Sequence, residues 1–228
     1  MESPHVGMLR EKPLHASLKE WCSEPGDRFE VPMAGYVIDV VREGLLIEVQ
    51  TSGFSGMRKK LASLLDAGFR VRIVHPIAEA QWIVRMGEGG EVLSRRKSPK
   101  RGSFLAVFSE LVSVPTLIDH DGLEVEVVLT HEDELRTHQP GKAWRRKGWV
   151  VEERHLVEVV DSQVLASSAD LLGLLPPALP DPFTTADLAG AAGCPRRLAQ
   201  QVAYTLKHAG AIRQTGKRGN AIEYRASG

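Results

Sequence analysis

Cysteine is scarce in this 228-residue chain: there are two, Cys22 and Cys194, far apart and outside any CxxC pair. That excludes a disulfide framework and a cysteine-based zinc site, and it matches small buried thiols in a reducing cytosol. Long apolar runs are also missing. None approaches the roughly 18 residues that span a bilayer, and residues 1–10 lack the apolar stretch of a secretory signal. The expectation is a soluble, cytoplasmic protein. Net charge is absent too, with 29 Lys and Arg against 29 Asp and Glu. At 43% hydrophobic and 25% charged residues, the chain is neither disordered nor a histone-like polycation. No P-loop, GxGxxG, Ser-His-Asp spacing or internal repeat is present. The length suits one sizeable core and a second small one.

The N-terminal half reads as alternating elements. Residues 1–11 are polar and aperiodic, a loose arm. Leu14, Leu18 and Trp21 share one face of a short helix. Strands follow over residues 28–33, 35–41 and 45–51, the last two joined by a tight turn at Arg42-Glu43-Gly44. A helix over 54–65 carries Met57, Leu61, Leu64 and Leu65, and a strand over 70–75 ends at Pro76. Beyond it, 81–86 and 91–94 read as a hairpin, 104–112 as helix, 123–130 as strand and 149–160 as one or two strands. The prolines between 176 and 182 suggest a domain boundary near residue 180.

Two carboxylates stand in this apolar setting: Asp39 in "GYVID" and Glu48 in "LLIEVQT". Strand alternation puts Ile38 and Val40 on one face and Asp39 on the other, and in the next strand groups Glu48 with Leu46 and Gln50. A hairpin can then bring Asp39 beside Glu48 and Gln50, the register permitting. Two close carboxylates repel unless a cation lies between them, and oxygen ligands select a hard ion such as Mg²⁺ or Mn²⁺. The competing reading pairs them with Arg42, Arg58 or Arg72. His75, before Pro76, is either near this acidic site or simply a structural histidine.

The segment from about residue 14 to 76, with "GYVIDVVREGLLIEVQTSGFSGMRKKL" at its centre, resembles the PD-(D/E)XK nuclease superfamily and in particular its CoiA-like branch. The resemblance implies a restriction-endonuclease-like α/β core in the order α-β-β-β-α-β, with a mixed sheet, over residues 12–165. It also implies metal binding by Asp39 and Glu48, with Glu20 as the first-helix carboxylate and Glu24 and Glu30 as its competitors. Gln50 falls where the family's lysine stands. It can position a water but carries no charge, and Lys59 or Lys60 on the next helix could supply the missing cation. Such enzymes often act as homodimers.

From Thr184 the pattern is helix, tight turn, helix, then two strands around Gly216-Lys-Arg-Gly-Asn220. It resembles a winged helix-turn-helix over residues 182–228, joined by a linker at 166–181. Residues 184–228 hold seven Lys and Arg against two Asp and Glu, so the remainder is acidic by the same margin. The neutral total therefore hides a basic module. Arg196, Arg197 and Lys207 lie on the longer helix and Lys217 and Arg218 on the wing, placed for bases and phosphates. Arg95, Arg96 and Lys97 in "SRRKSPKR", and Arg145 and Arg146 in "WRRKGW", add basic residues, the second set flanked by aromatics, suited to a nucleic-acid strand. The expectation is a metal-dependent endonuclease acting on double-stranded or branched DNA. The alternatives are a DNA-binding protein on an inactive nuclease core and an assembly factor whose helices bind protein.

Overall fold

The computed structural model describes residues 11–227. The polar arm expected at residues 1–11 lies, but for Glu11, outside them. Helix α1 (Pro13–Trp21) opens with proline at its first turn, where no N–H is missed. Its Leu14 and Leu18, one turn apart, are buried. Strands β1 (Arg28–Met33), β2 (Tyr36–Arg42) and β3 (Leu45–Val49) form an antiparallel meander. Both of its turns are two residues long with positive φ throughout: Ala34-Gly35 and Glu43-Gly44. That conformation matches the twist of the flanking strands. A 3-10 turn at Phe54–Met57 leads into α2 (Arg58–Asp66), which crosses over to β4 (Arg70–Met86), parallel to β3.

Strand β5 (Val92–Lys97) pairs antiparallel with β4. After a second 3-10 turn at Phe104–Val107 comes α3 (Phe108–Leu111). Strand β6 (Leu123–His138) then lies parallel to β4, and β7 (Trp149–Leu165) returns antiparallel along β6. The sheet is mixed, in the order β1-β2-β3-β4-β6-β7, with β5 also on β4. The fold class is thus α/β. One face packs on α2 and α3. The other buries Val40, Leu45, Ile47, Val49, Val74 and Val128 beneath Leu14 and Leu18. All five residues of β3 are buried, as expected of a strand covered on both sides.

Pro76 does not end its strand. Val74 O accepts from Gln50 N–H on the β3 side, so alternation turns the Pro76 nitrogen to that same side. The β3–β4 pairing ends at Val74, so proline's missing donor faces a flank with no β3 partner. Meanwhile β6 continues alongside to Arg85. The strand expected at 70–75 and the one at 81–86 are therefore one element.

The C-terminal region comprises α4 (Ser168–Gly173), α5 (Thr185–Ala191), α6 (Arg196–His208), β8 (Ile212–Arg218) and β9 (Ala221–Ala226). Thr184 and Asp187 form a reciprocal capping box on α5. An isolated bridge lays Phe183 against Tyr224 of β9, beside the two-stranded β8–β9 hairpin. The segment expected as a linker is packed rather than loose. It holds α4, capped by Ser167, and its Leu171 is fully buried. Leu171, Leu188, Val202 and Leu206 belong to the same apolar cluster as Leu61, Phe108 and Leu111. The basic module and the sheet share one core.

Candidate metal and phosphate site

The β2–β3 ladder pairs Arg42 with Leu45, Val41 with Leu46 and Val40 with Ile47, and then stops. Asp39 and Glu48 would be the next pair in register. The Val49 N–H instead donates to Asp39 Oδ2 at 2.9 Å, so a side chain replaces the backbone acceptor. On the other flank, Glu30 opposite Asp39 takes a φ of 52° and drops out of the β1–β2 register. Asp39 is therefore outside regular pairing on both sides. The strict alternation expected of β2 fails here. Ile38 packs in the α2-side core with Val41, whereas Val40 packs in the α1-side core.

At this opening lies a cleft of about 440 Å³, lined by residues that include Glu11, His15, Glu30, Asp39, Glu48, Gln50, Ser52 and Lys60. Lys60 of α2 donates to Glu48 Oε1 at 2.6 Å and to Val37 O at 2.9 Å. His15 of α1 sets Nε2 3.3 Å from Asp39 Oδ2 and Nδ1 2.5 Å from Glu11 Oε1. Lys19 joins Glu11 at 2.6 Å and Glu30 at 2.7 Å. A chain of alternating charges thus runs along one wall.

The two central carboxyls respond in opposite ways. Burial, helped by the charge of Asp39, pushes the Glu48 carboxyl up to about 7 despite its bond to Lys60. Burial would also raise Asp39, but hydrogen bonds from His15 and the Val49 N–H more than offset it and hold Asp39 below its ordinary value. For His15, burial favours the neutral ring, yet carboxylates at both nitrogens hold its pKa above the ordinary histidine value. Among the described residues no group of three or more His, Cys, Asp or Glu side chains is arranged to hold a metal ion.

Several expected site residues lie elsewhere. Glu20 is exposed on α1 and does not line the cleft. Leu14 and Leu18 fix the buried face, so His15 and Lys19, one position after each, flank the sheet, and Glu20 is turned outward. Of its competitors, Glu30 lines the cleft whereas Glu24 binds Arg42. The Gln50 amide nitrogen is spent on Ser52 Oγ and Gly53 O, within its own loop. Lys59 is exposed, whereas Lys60 lines the cleft, as does Lys12 of the segment before α1. None of the three arginines considered as partners reaches the carboxylates. Arg42 binds Asp27 and Glu24, Arg72 binds Glu124 and Glu126, and Arg58 is exposed.

His75 is buried behind the cleft, with Nδ1 2.6 Å from Gln50 O and its ring edge-on to Phe54. Burial lowers its pKa; it braces the wall. Arg154 of β7 also holds that wall, donating to Thr51 O at 2.7 Å and facing buried Glu132 at 3.5 Å. Sequence reading missed Glu11, His15, Lys19 and Arg154. No motif marks them, because only packing brings them to Asp39 and Thr51.

The expected DNA contacts divide between free and engaged groups. Arg196, Arg197 and Lys207 are exposed on α6. With Gln200 and Tyr204, Arg196 and Lys207 face Asn220, Ile222 and Tyr224 of the hairpin across a groove of about 480 Å³. Lys217 is exposed. Arg218 is held by Asp187 at 3.0 Å and Glu223 at 2.9 Å, so it ties the hairpin to α5. On β5, Arg95, Arg96 and Lys97 are exposed. Arg95 bonds Asp133 and lies 4.6 Å from the Trp82 ring centre, and Lys97 lies 5.0 Å from it. Arg145 and Arg146 sit in the β6–β7 turn beside Trp144.

The profile of a family described as "Domain of unknown function (DUF8091)" matches residues 12–166. An "Uncharacterized protein" of Treponema pallidum (strain Nichols) is 34% identical over 186 residues, covering 81% of this chain and 73% of its own length. No solved structure matches the chain significantly.

Proposed function

We propose that this chain, which belongs to the DUF8091 family, is a metal-dependent endonuclease that hydrolyses phosphodiester bonds in DNA. One observation carries the reading. Asp39 and Glu48 meet where the β2–β3 ladder opens, in a cleft where burial and the charge of Asp39 raise the Glu48 carboxyl even beside Lys60. The α-β-β-β-α-β order and the parallel β3–β4 crossover support a restriction-endonuclease-like core. The α5–turn–α6–hairpin, with the Phe183–Tyr224 bridge, supports a winged helix as the docking module.

The donor set fits Mg²⁺ or Mn²⁺. Magnesium keeps several waters and needs only one or two carboxylates, and Asp39 and Glu48 would supply them. Such an ion lowers the pKa of a bound water and stabilises charge on the scissile phosphate. Lys60 restrains Glu48 and would offer its ammonium to the attacked phosphate, the cationic role that Gln50 cannot fill. His15, between Glu11 and Asp39, keeps Asp39 ionised and aimed into the cleft.

Supercoiled, linear and branched DNA incubated with the protein and Mg²⁺ or Mn²⁺ should be cut, and EDTA should stop the reaction. Asp39→Ala and Glu48→Ala should each lower cutting about 100-fold or more while DNA binding survives. Equal inertness of wild type and both variants across metals and DNA forms would overturn the proposal.

A second reading, DNA binding without turnover, is favoured by the Gln50 amide being consumed within its own loop. It predicts salt-sensitive binding that Arg196→Ala weakens, with no cutting under any metal.

A further inference from the structure

We propose that the β6–β7 turn is a stacking finger for an unpaired base of the bound nucleic-acid strand, with Trp144 as the stacking surface. The proposal rests on the reading of the chain as a nucleic-acid enzyme and adds a second contact to it. Residues 139–148 contain Lys142, Arg145, Arg146 and Lys147 and no acidic residue. At their centre Trp144 is 80% exposed, more than any other large apolar side chain among the described residues. The Arg145 guanidinium sits 5.1 Å from its ring centre. This is the pairing of aromatic face and cation that single strands use, because every base offers a π-face and every linkage a phosphate.

The turn is built to hold that ring out. Ala143 and Lys147 bracket the single 3-10 turn Trp144–Arg146, and both take left-handed backbone, with φ of 45° and 51°. Non-glycine residues avoid this conformation. Gly148 also has positive φ, and a Cβ there would come within 2.6 Å of the His138 ring. At the base of the turn, Trp149 is held between His138, 5.3 Å away, and Arg85, 4.7 Å away. A turn that served only as a solvated connection would not need this pinned frame beneath an exposed indole.

Its position suits a strand lying in the candidate cleft. The same β7 that begins at Trp149 reaches back to Arg154, whose guanidinium holds Thr51 in the cleft wall. At about 3.3 Å per residue, those five steps span about 17 Å from Arg154 to the base of the turn, a few base steps at 3.4 Å each. A basic, tryptophan-tipped turn can also meet an anionic bilayer, but that occupant makes no use of the connection to the cleft.

The test is binding of full-length protein, in EDTA, to oligonucleotides carrying 2-aminopurine in a single-stranded stretch or a short gap. Binding should quench the 2-aminopurine. Trp144→Ala should remove the quench and weaken binding about tenfold. Trp144→Phe should retain most of both, and affinity for fully paired duplex should change less than about twofold. The inference is overturned if Trp144→Ala binds and quenches as wild type does. It is equally overturned if the oligonucleotides fail to bind while phosphatidylserine vesicles bind in a Trp144-dependent way. The two readings separate cleanly. Metal-dependent cutting with no Trp144 effect removes the finger and keeps the nuclease, whereas Trp144-dependent quenching without cutting does the reverse.

Discussion

The cleft at the β2–β3 opening and the C-terminal helix–hairpin unit keep their charges in opposite ways. In the cleft, charged groups are half-buried and bound to one another: Glu11 to His15, His15 to Asp39, Glu48 to Lys60. In the C-terminal unit the interior face of α6 is Ala199, Val202, Ala203, Thr205 and Leu206, and Arg196 and Arg197 of that helix stand in solvent. The cleft breaks local rules, with a carboxylate in place of a ladder acceptor and a left-handed residue inside a strand. The C-terminal unit obeys them at its helix ends, with a capping box and with glycines in the left-handed conformation after α5 and α6 (Gly193 and Gly210), and departs from them at the buried Thr205 hydroxyl, which has no hydrogen-bond partner among the described residues. Local consistency specifies a fold, and its failure marks the place where something else is required.

The comparison breaks most directly at the shared core. Leu206→Ala, at a fully buried position, should cost about 2–5 kcal/mol, and calorimetry should show a single transition that moves as a whole. Two transitions, with only one displaced, would mean that the C-terminal unit folds apart from the sheet.

Next in size is the pair of neighbouring lysines. Lys60→Met should lower metal-dependent cutting about 100-fold, whereas Lys59→Met, outside the cleft, should leave it unchanged. Equal losses would return the role to charge on α2 in general.

A smaller effect separates the cost of the cleft from its use. The Glu48 carboxyl is held at about 7, against an ordinary 4.5. Between those values the folded chain keeps a proton that the unfolded chain has lost, so stability falls as pH rises through that window. In EDTA, Glu48→Gln should therefore be more stable than wild type at pH 8, by about 1–3 kcal/mol, and no more stable at pH 4. A constant difference in melting temperature across that range would contradict the assignment. Smallest is Thr184→Ala, which removes half of the capping box and should cost about 1 kcal/mol without changing activity.

Much of this was legible from residue patterns. The helix carrying Leu14 and Leu18, the meander around Glu43-Gly44 and the paired helices after Thr184 follow from apolar period, positive-φ turns and caps. That Asp39 and Glu48 lie on paired strands was legible too, whereas the register that sets them opposite comes from the two-residue turn Glu43-Gly44 of the structure. What escaped was the behaviour of groups whose partners are distant in sequence. Pro76 ended an expected strand because a missing N–H is costly beside a neighbour, and only the point where the β3–β4 pairing ends removes that cost. Glu20 was the first-helix carboxylate that the nuclease resemblance implied, whereas helix phase turns it outward and brings His15 to the sheet.

By itself, then, the sequence determined most of the elements, the placing of Asp39 and Glu48 on adjoining strands and the split between a basic C-terminal segment and an acidic remainder. These are encoded by neighbours within a turn or a hairpin, where chain geometry leaves few choices. The tertiary structure decided that Lys60 and His15 accompany the two carboxylates, that Gln50 and Arg218 are already engaged, and that the C-terminal helices join the sheet's core. Those outcomes depend on contacts across tens of residues, which no local spacing specifies and only packing can bring together.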